Sequence, residues 1–427
     1  MPEQHFDGLR DYAGTASRQP DFAVVQQRAR GVRRRRAVLT SVTAAAAVLV
    51  ATGLGYATTN GQGDVSVSDP SPAPTETADP GGDWQPRMTN VVGGSATDLY
   101  GIYERCRECG PELYASADAG RTWKRRAEPP QTPQNADPRI PTITSLGQGL
   151  LAWHDGRILT PSDLDGTGKE VPATDGLWTS VDGGRTWKAA AVDTTPVSVL
   201  PPGTRPVDCV LADLKPPCKI YAVDPVTGRF APLAAQPTGI TIEEGWTNLT
   251  NVPPGDTVWI PGLDPQTRKP AVAVSADRGR TWRTHVFTDG VPAEADNGFT
   301  PTMYLPAIAS GPDGLAYVLT YRKDLRMDPY RTTDGGVTWK RGQSTDETPD
   351  GGFVTADGAH VIKTGDRFLI STNGGDYEPV TLPGYPEELL ELTQVTSRQA
   401  TDLYVVSSEG DAYISGDGRT WRQAEGP

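Results

Sequence analysis

The chain has 427 residues, 36% of them apolar, with 47 Gly and 39 Pro, a composition that favours turns over long helices and allows one large or two ordinary domains. Its formal charge of −13 hides an asymmetry: residues 1–36 carry eight Arg against four acids, net +4, so the remainder sums to −17. Nucleic-acid binding needs a basic face that neutralises phosphates, and a region this acidic, without a Lys/Arg-rich stripe, excludes it.

Residues 1–36 read as a short basic tail. Phe6, Leu9, Tyr12 and Phe22 stripe too little apolar surface for an independent fold. Ala37 to Ala57 is a run of 21 uncharged, Ala/Val/Leu-rich residues preceded directly by Arg33, Arg34, Arg35 and Arg36, which predicts a transmembrane helix with the N-terminus cytoplasmic. The alternative is a cleaved secretory signal, for which the n-region is long and a clean A-x-A site is missing. Either way the bulk of the chain is exported. Residues 58–86, TTNGQGDVSVSDPSPAPTETADPGGDWQP, have almost nothing to bury and read as a disordered spacer. At about 3 Å per residue it holds the next domain several tens of ångströms from the bilayer.

The four cysteines form two close pairs, Cys106 with Cys109 and Cys209 with Cys218. Local disulfides suit an exported chain. The alternatives are a redox CxxC or a shared zinc site, but no helix start follows Cys109 and the second pair lacks metal-type spacing. The four histidines, His5, His154, His285 and His360, show no metal spacing either, and no cofactor or metal is expected.

From residue 87 to 427 the sequence repeats itself. Four segments read SADAGRTW (Ser116 to Trp123), SVDGGRTW (Ser180 to Trp187), SADRGRTW (Ser275 to Trp282) and TTDGGVTW (Thr332 to Trp339). SGDGRTW, from Ser415 to Trp421, is one residue shorter, and STNGGDY, from Ser371 to Tyr377, has lost its Asp and Trp. In each, the carboxylate can accept hydrogen bonds from the backbone of a tight turn, Gly takes a φ > 0 position, and Ser or Thr closes the local network. Apolar, alternating residues precede each copy, so the motif sits between two strands. The Trp supplies an apolar body to pack between neighbouring sheets. A longer echo, Ala96-Thr97-Asp98-Leu99-Tyr100 and Ala400-Thr401-Asp402-Leu403-Tyr404, makes the repeating unit a whole blade.

These segments resemble Asp boxes, the BNR repeats of sialidases and of the wider YVTN/BNR-like propellers. The resemblance implies an all-β fold, a single β-propeller, in which Asp118, Asp182, Asp277, Asp334 and Asp417 hold turns. Trp123, Trp187, Trp282, Trp339 and Trp421 would be structural. The box positions 118, 182, 277, 334, 373 and 417 leave intervals of 64, 95, 57, 39 and 44 residues. The longest is halved by Ile220 to Phe230, a boxless strand-turn-strand, which gives seven blades, with six as the alternative.

Asp boxes specify fold rather than activity, since they lie away from substrate in that family. A local likeness to sialidases goes further: Arg139-Ile140-Pro141 followed by Leu150-Leu151-Ala152-Trp153-His154-Asp155-Gly156-Arg157. By that resemblance Arg139 would grip a sugar carboxylate, Arg157 would assist, and Asp163 or Asp165 would be the acid/base. Arg268 would be a second carboxylate arginine, and Glu243 or Glu244 would activate a tyrosine. A third arginine and the late nucleophilic tyrosine are missing, and the motif falls in the second predicted blade, whereas sialidases begin with it. The expectation is therefore a membrane-anchored extracellular propeller that binds an envelope protein or a glycan at its channel face. The alternative is an exo-acting sialidase-type glycoside hydrolase.

Overall fold

The computed structural model describes residues 85–106, 109–130, 141–154, 176–207, 219–242, 257–291, 305–322, 326–345, 349, 351–364, 367–386, 403–408 and 410–427, all within the compact unit Ala78–Pro427. The predicted tail and transmembrane helix, the spacer up to Trp84, Trp246, and the Cys209–Cys218 pair lie outside them. Among the described residues no helix is long and apolar enough to cross a membrane.

The described residues are all-β and form seven antiparallel sheets, each following chain order. The first contains β1 (Arg87–Gly93), β2 (Leu99–Glu104), β3 (Glu112–Ser116) and β4 (Lys124–Arg125). The second contains β5 (Thr142–Gly147), β6 (Leu150–His154), β7 (Leu177–Ser180) and β8 (Lys188–Ala189). The third has β9 (Tyr221–Val223) and β10 (Phe230–Pro232), and the fourth has β11 (Val258–Leu263), β12 (Pro270–Ser275) and β13 (Arg283–Val286). The fifth comprises β14 (Ala307–Ser310), β15 (Ala316–Tyr321), β16 (Met327–Thr332) and β17 (Lys340–Arg341). The sixth comprises β18 (Gly351–Val354), β19 (His360–Thr364), β20 (Arg367–Ser371) and β21 (Glu378–Val380). The seventh has β22 (Tyr404–Ser408), β23 (Asp411–Ser415) and β24 (Arg422–Gln423).

Each sheet packs face to face on the next. Ile102 and Leu113 of the first meet Ile143 and Leu151 of the second, and Leu150 and Leu177 of the second meet Val223 and Phe230 of the third. Ile220 and Ala222 of the third meet Val258 and Ile260 of the fourth, whose Trp259 and Val274 meet Ala316 and Val318 of the fifth. Leu319 and Met327 of the fifth cover Ile362 of the sixth, and Phe353 and Val361 cover Tyr404 and Val406 of the seventh. The seventh then packs on the first, with Val405 and Ile414 against Met88, Val91 and Leu99. The ring is closed, and the fold is a β-propeller.

A sheet covered on both faces has no polar side to show. All six residues of β11 and of β12 are accordingly buried, and Pro270 to Ser275 reads as a continuous small-apolar run rather than an alternating one. The outer strands are short and exposed, as in Lys124–Arg125, Lys188–Ala189 and Lys340–Arg341, so the sheet edges are closed off with charge.

The third sheet is built differently. Its outer position is taken by residues 191–197, which run parallel to β10: Phe230 N–H donates to Ala191 O at 2.9 Å, and Ala234 N–H donates to Val197 O at 2.8 Å. The Arg229 guanidinium ties this segment down on Asp193 at 2.5 Å. Its edge is covered from upstream, so this sheet has no outer hairpin in which a box could sit.

Candidate functional site

The two ends of the sheets are made of different turns. At one end lie the box turns. In the first, Ser116 Oγ donates to Asp118 Oδ1 at 2.7 Å and accepts from Gly120 N–H at 2.8 Å. Asp118 also accepts from Thr122 N–H at 2.9 Å and from Thr122 Oγ at 2.7 Å. The same four bonds, at 2.6–3.0 Å, recur around Asp182, Asp277 and Asp334.

Two consecutive residues in each of these four turns take positive φ, as in Arg278 (57°) and Gly279 (89°). The second must be glycine for a further reason: a Cβ on Gly279 would lie 2.7 Å from Leu233, and one on Gly184 would lie 2.7 Å from Leu113, both on the preceding sheet. The shorter seventh turn drops one of the pair and keeps Gly418. Asp417 there still accepts from Ser415 Oγ at 2.9 Å and from Thr420 N–H at 2.8 Å.

Hydrogen bonds to the ionised form lower a carboxylate pKa. Those from the Thr338 side chain and backbone, then from Thr332, bring Asp334 down to about 2. Thr122 does most of the same for Asp118. Desolvation opposes the shift at Asp277, yet the bonds from Thr281 and Ser275 still bring it to about 2.

Each box tryptophan reaches back to the preceding sheet. The indole N–H of Trp187 donates to Ala127 O at 2.8 Å and that of Trp282 to Ala235 O at 2.9 Å, while Trp123 bridges to Glu425 O at 2.5 Å across the ring closure. Trp339 sits edge-on to Trp259 and Phe287, and Trp421 edge-on to Tyr385 and Phe353. In the sixth turn Tyr377 replaces tryptophan, and its hydroxyl lies 2.6 Å from Nδ1 of buried His360, which also stacks on Tyr317. Burial pushes the His360 pKa down to about 3, so the ring is neutral.

At the opposite end two of the described turns match each other. Asp264 to Lys269, joining β11 and β12, and Asp224 to Arg229, joining β9 and β10, are a related pair: each Asp carbonyl accepts from the N–H four residues on, at 2.8 Å. Gly228 (φ 73°) and Arg268 (φ 59°) hold the same left-handed position in the two. The first sheet carries the Cys106–Cys109 disulfide between β2 and β3 at this end.

Between the fourth and fifth sheets, also at this end, lies a cleft of about 530 Å³ lined by Lys269, Thr288, Asp289, Gly290, Val291, Arg322, Asp328 and Arg341. Asp328, on β16, is fully buried. Arg341 Nη2 lies 2.8 Å from its Oδ2 and Arg322 Nη1 lies 3.7 Å from its Oδ1, while Ser344 Oγ donates to Oδ1 at 2.6 Å. The 2.8 Å approach to Oδ2 is a close charge contact without the alignment of a hydrogen bond, which leaves that buried oxygen without an aligned donor. Arg341 also reaches Asp289 Oδ2 at 3.0 Å, and Lys269 Nζ donates to Thr288 O. Burial works against the Arg341 charge, but the close approach of Asp328 and the charges of Asp328 and Asp289 raise its pKa on balance.

Of the residues marked by the sialidase-like motif, Arg139, Arg157, Asp163, Asp165, Glu243 and Glu244 lie outside the described residues. Arg268 is described and occupies the turn just before Lys269 of the cleft. Sequence reasoning missed Arg322, Asp328 and Arg341, and the available signal was Asp328 itself, a carboxylate inside the strand Met327–Thr332. Among the described residues no group of three or more His, Cys, Asp or Glu could hold a metal ion.

No family model matches the chain, and no curated protein does either. Among solved structures it is similar to YCF48 bound to a D1 peptide, at 12% identity and a TM-score of 0.29, covering 80% of this chain and 81% of that one. It is similar to a GH74 xyloglucanase from Xanthomonas campestris at 15% identity and a TM-score of 0.33, where 79% of this chain spans about half (47%) of the enzyme. A gluconolactonase from the same organism matches at 14% identity and a TM-score of 0.29, over 64% of this chain and 82% of that one. All are β-propeller proteins. These likenesses carry no residue correspondence to this chain.

Proposed function

We propose that this chain is a seven-bladed Asp-box propeller, held outside the cell membrane by the helix Ala37 to Ala57, that binds a ligand through the end opposite its box turns. The observation that carries the reading is the division of labour between the two ends. The described box Asp side chains are engaged inside their own turns, and the box Trp side chains pack on the neighbouring sheet. The repeated motif is therefore spent on scaffold. The other end carries a charged cleft built from side chains that the repeated motif does not supply, the arrangement expected where a binding site is added to a constant frame. Seven sheets closing on one another support the blade count. Four arginines before residue 37 support the anchor and its orientation.

The second reading, a sialidase-type hydrolase, rests on the motif around Arg139. One experiment separates the two. The purified full-length chain in detergent micelles is applied to an array of glycans and envelope-derived peptides and, in parallel, incubated with a fluorogenic sialoside. The binding reading expects saturable retention of one ligand class with no fluorophore release. Turnover that disappears in Arg139→Ala would establish the hydrolase in its place.

A further inference from the structure

We propose that the cleft between the fourth and fifth sheets is a binding site for a monoanionic sugar acid of the hexuronate type, whose carboxylate is gripped by Arg341 and Arg322. This deepens the binding-module reading and rests on it.

The charges set the ligand's charge. Lys269, Arg322 and Arg341 stand against Asp289 and Asp328, which leaves one positive charge within a domain that is otherwise strongly acidic. A single carboxylate balances it. A dianionic phosphate would leave excess negative charge beside Asp289, whose side chain is 56% exposed.

The geometry sets where the carboxylate goes. Asp328 is buried and cannot itself meet a ligand from bulk water, but it holds Arg341 directly at 2.8 Å and Arg322 through Ser344, whose Oγ accepts from Arg322 Nη1 at 2.9 Å and donates to Asp328 Oδ1 at 2.6 Å. The two arginine side chains remain 40% and 38% exposed, so each keeps an outward face towards the cleft. Planar guanidinium groups held by a buried carboxylate are pre-organised for fork-like recognition of a second carboxylate. The ion-paired arginines lose little further freedom when the ligand arrives.

The remaining lining sets the body of the ligand. Thr288 and the exposed Asp289 carboxylate offer hydrogen-bonding partners for hydroxyl groups, and no aromatic side chain lines the cleft. That suits a polyol better than an apolar peptide side chain. A volume of about 530 Å³ accommodates one or two sugar rings.

The test uses the full-length chain in detergent and ligand-observed saturation-transfer NMR with D-glucuronate, its methyl ester and inorganic phosphate. Glucuronate should bind saturably in the millimolar range, and the neutral ester about tenfold or more weakly, because it lacks the charge that the arginines read. Arg341→Lys keeps the charge but loses the fork and should weaken glucuronate binding by about tenfold. Should Arg341→Lys fail to fold, Lys269→Gln removes a half-buried turn charge whose hydrogen bond is to Thr288 O and should weaken binding by about threefold to tenfold. Equal binding of acid and ester, absence of saturable glucuronate binding, or tighter binding of phosphate would overturn the proposal. If glucuronate fails while another array ligand still saturates, the cleft assignment falls and the binding-module reading stands.

Discussion

The two ends of this propeller use their polar side chains in different ways. At the box end, four turns reuse one set of local hydrogen bonds within about 0.3 Å of each other, and two more keep a reduced version. Each box tryptophan then braces the preceding sheet. At the other end polar side chains distant in sequence, Lys269, Asp289, Arg322, Asp328 and Arg341, converge on one cleft. The repeated side chains hold the frame and the cleft side chains do not, and substitutions should report the difference.

The largest effect is expected from Trp421→Ala. Trp421 is 4% exposed between the sixth and seventh sheets, so its truncation should cost about 3–5 kcal/mol in denaturant unfolding. A loss below about 1 kcal/mol would mean that the box tryptophans are not braces.

Next comes His360, in the sixth sheet beside the turn that contacts Asp417. Its folded pKa, about 3, lies below the unfolded value of about 6.5, so between these limits the unfolded state binds the proton that the folded state refuses. Stability should therefore fall as pH drops below about 6.5, by about 1.4 kcal/mol per unit. Urea unfolding at pH 7.5 and pH 5 measures this slope, and His360→Phe should reduce it, leaving the part that comes from His285, whose pKa burial also lowers.

A smaller loss is expected from Asp334→Asn, which cannot repeat all the charge-assisted bonds with Thr332 and Thr338. Its folded pKa of about 2 is below the unfolded value of about 3.9, so its contribution is complete above about pH 4 and disappears as pH falls through about 2. The variant should unfold at lower urea at pH 7 and approach the wild type at pH 2. An unchanged midpoint at pH 7 would mean that the box carboxylates are dispensable.

The same division explains what the sequence shows. The box turns are legible because their donors, acceptors and left-handed residues lie within eight positions, so Ser275 to Trp282 nearly specifies its own geometry. Strand pairing is legible in runs such as Ala271 to Val274. The cover of the third sheet is not, because residues 191–197 come from upstream and run parallel to β10, a pairing with no local signal. The cleft is hidden for a related reason. Arg322, Asp328 and Arg341 belong to different strands or strand ends, and their meeting depends on the register of the fifth sheet. Arg268 drew notice through a motif, yet it serves as the left-handed residue of a turn, and its neighbour Lys269 is the one that faces the cleft.

The most direct test of the division is one titration of D-glucuronate against three full-length proteins: wild type, Asp334→Asn and Arg341→Lys, with thermal unfolding recorded for each. The account predicts that Asp334→Asn melts earlier than wild type and binds equally well below its melting point. Arg341→Lys should retain its fold and bind about tenfold more weakly. Binding lost in folded Asp334→Asn, or unchanged in Arg341→Lys, would contradict it.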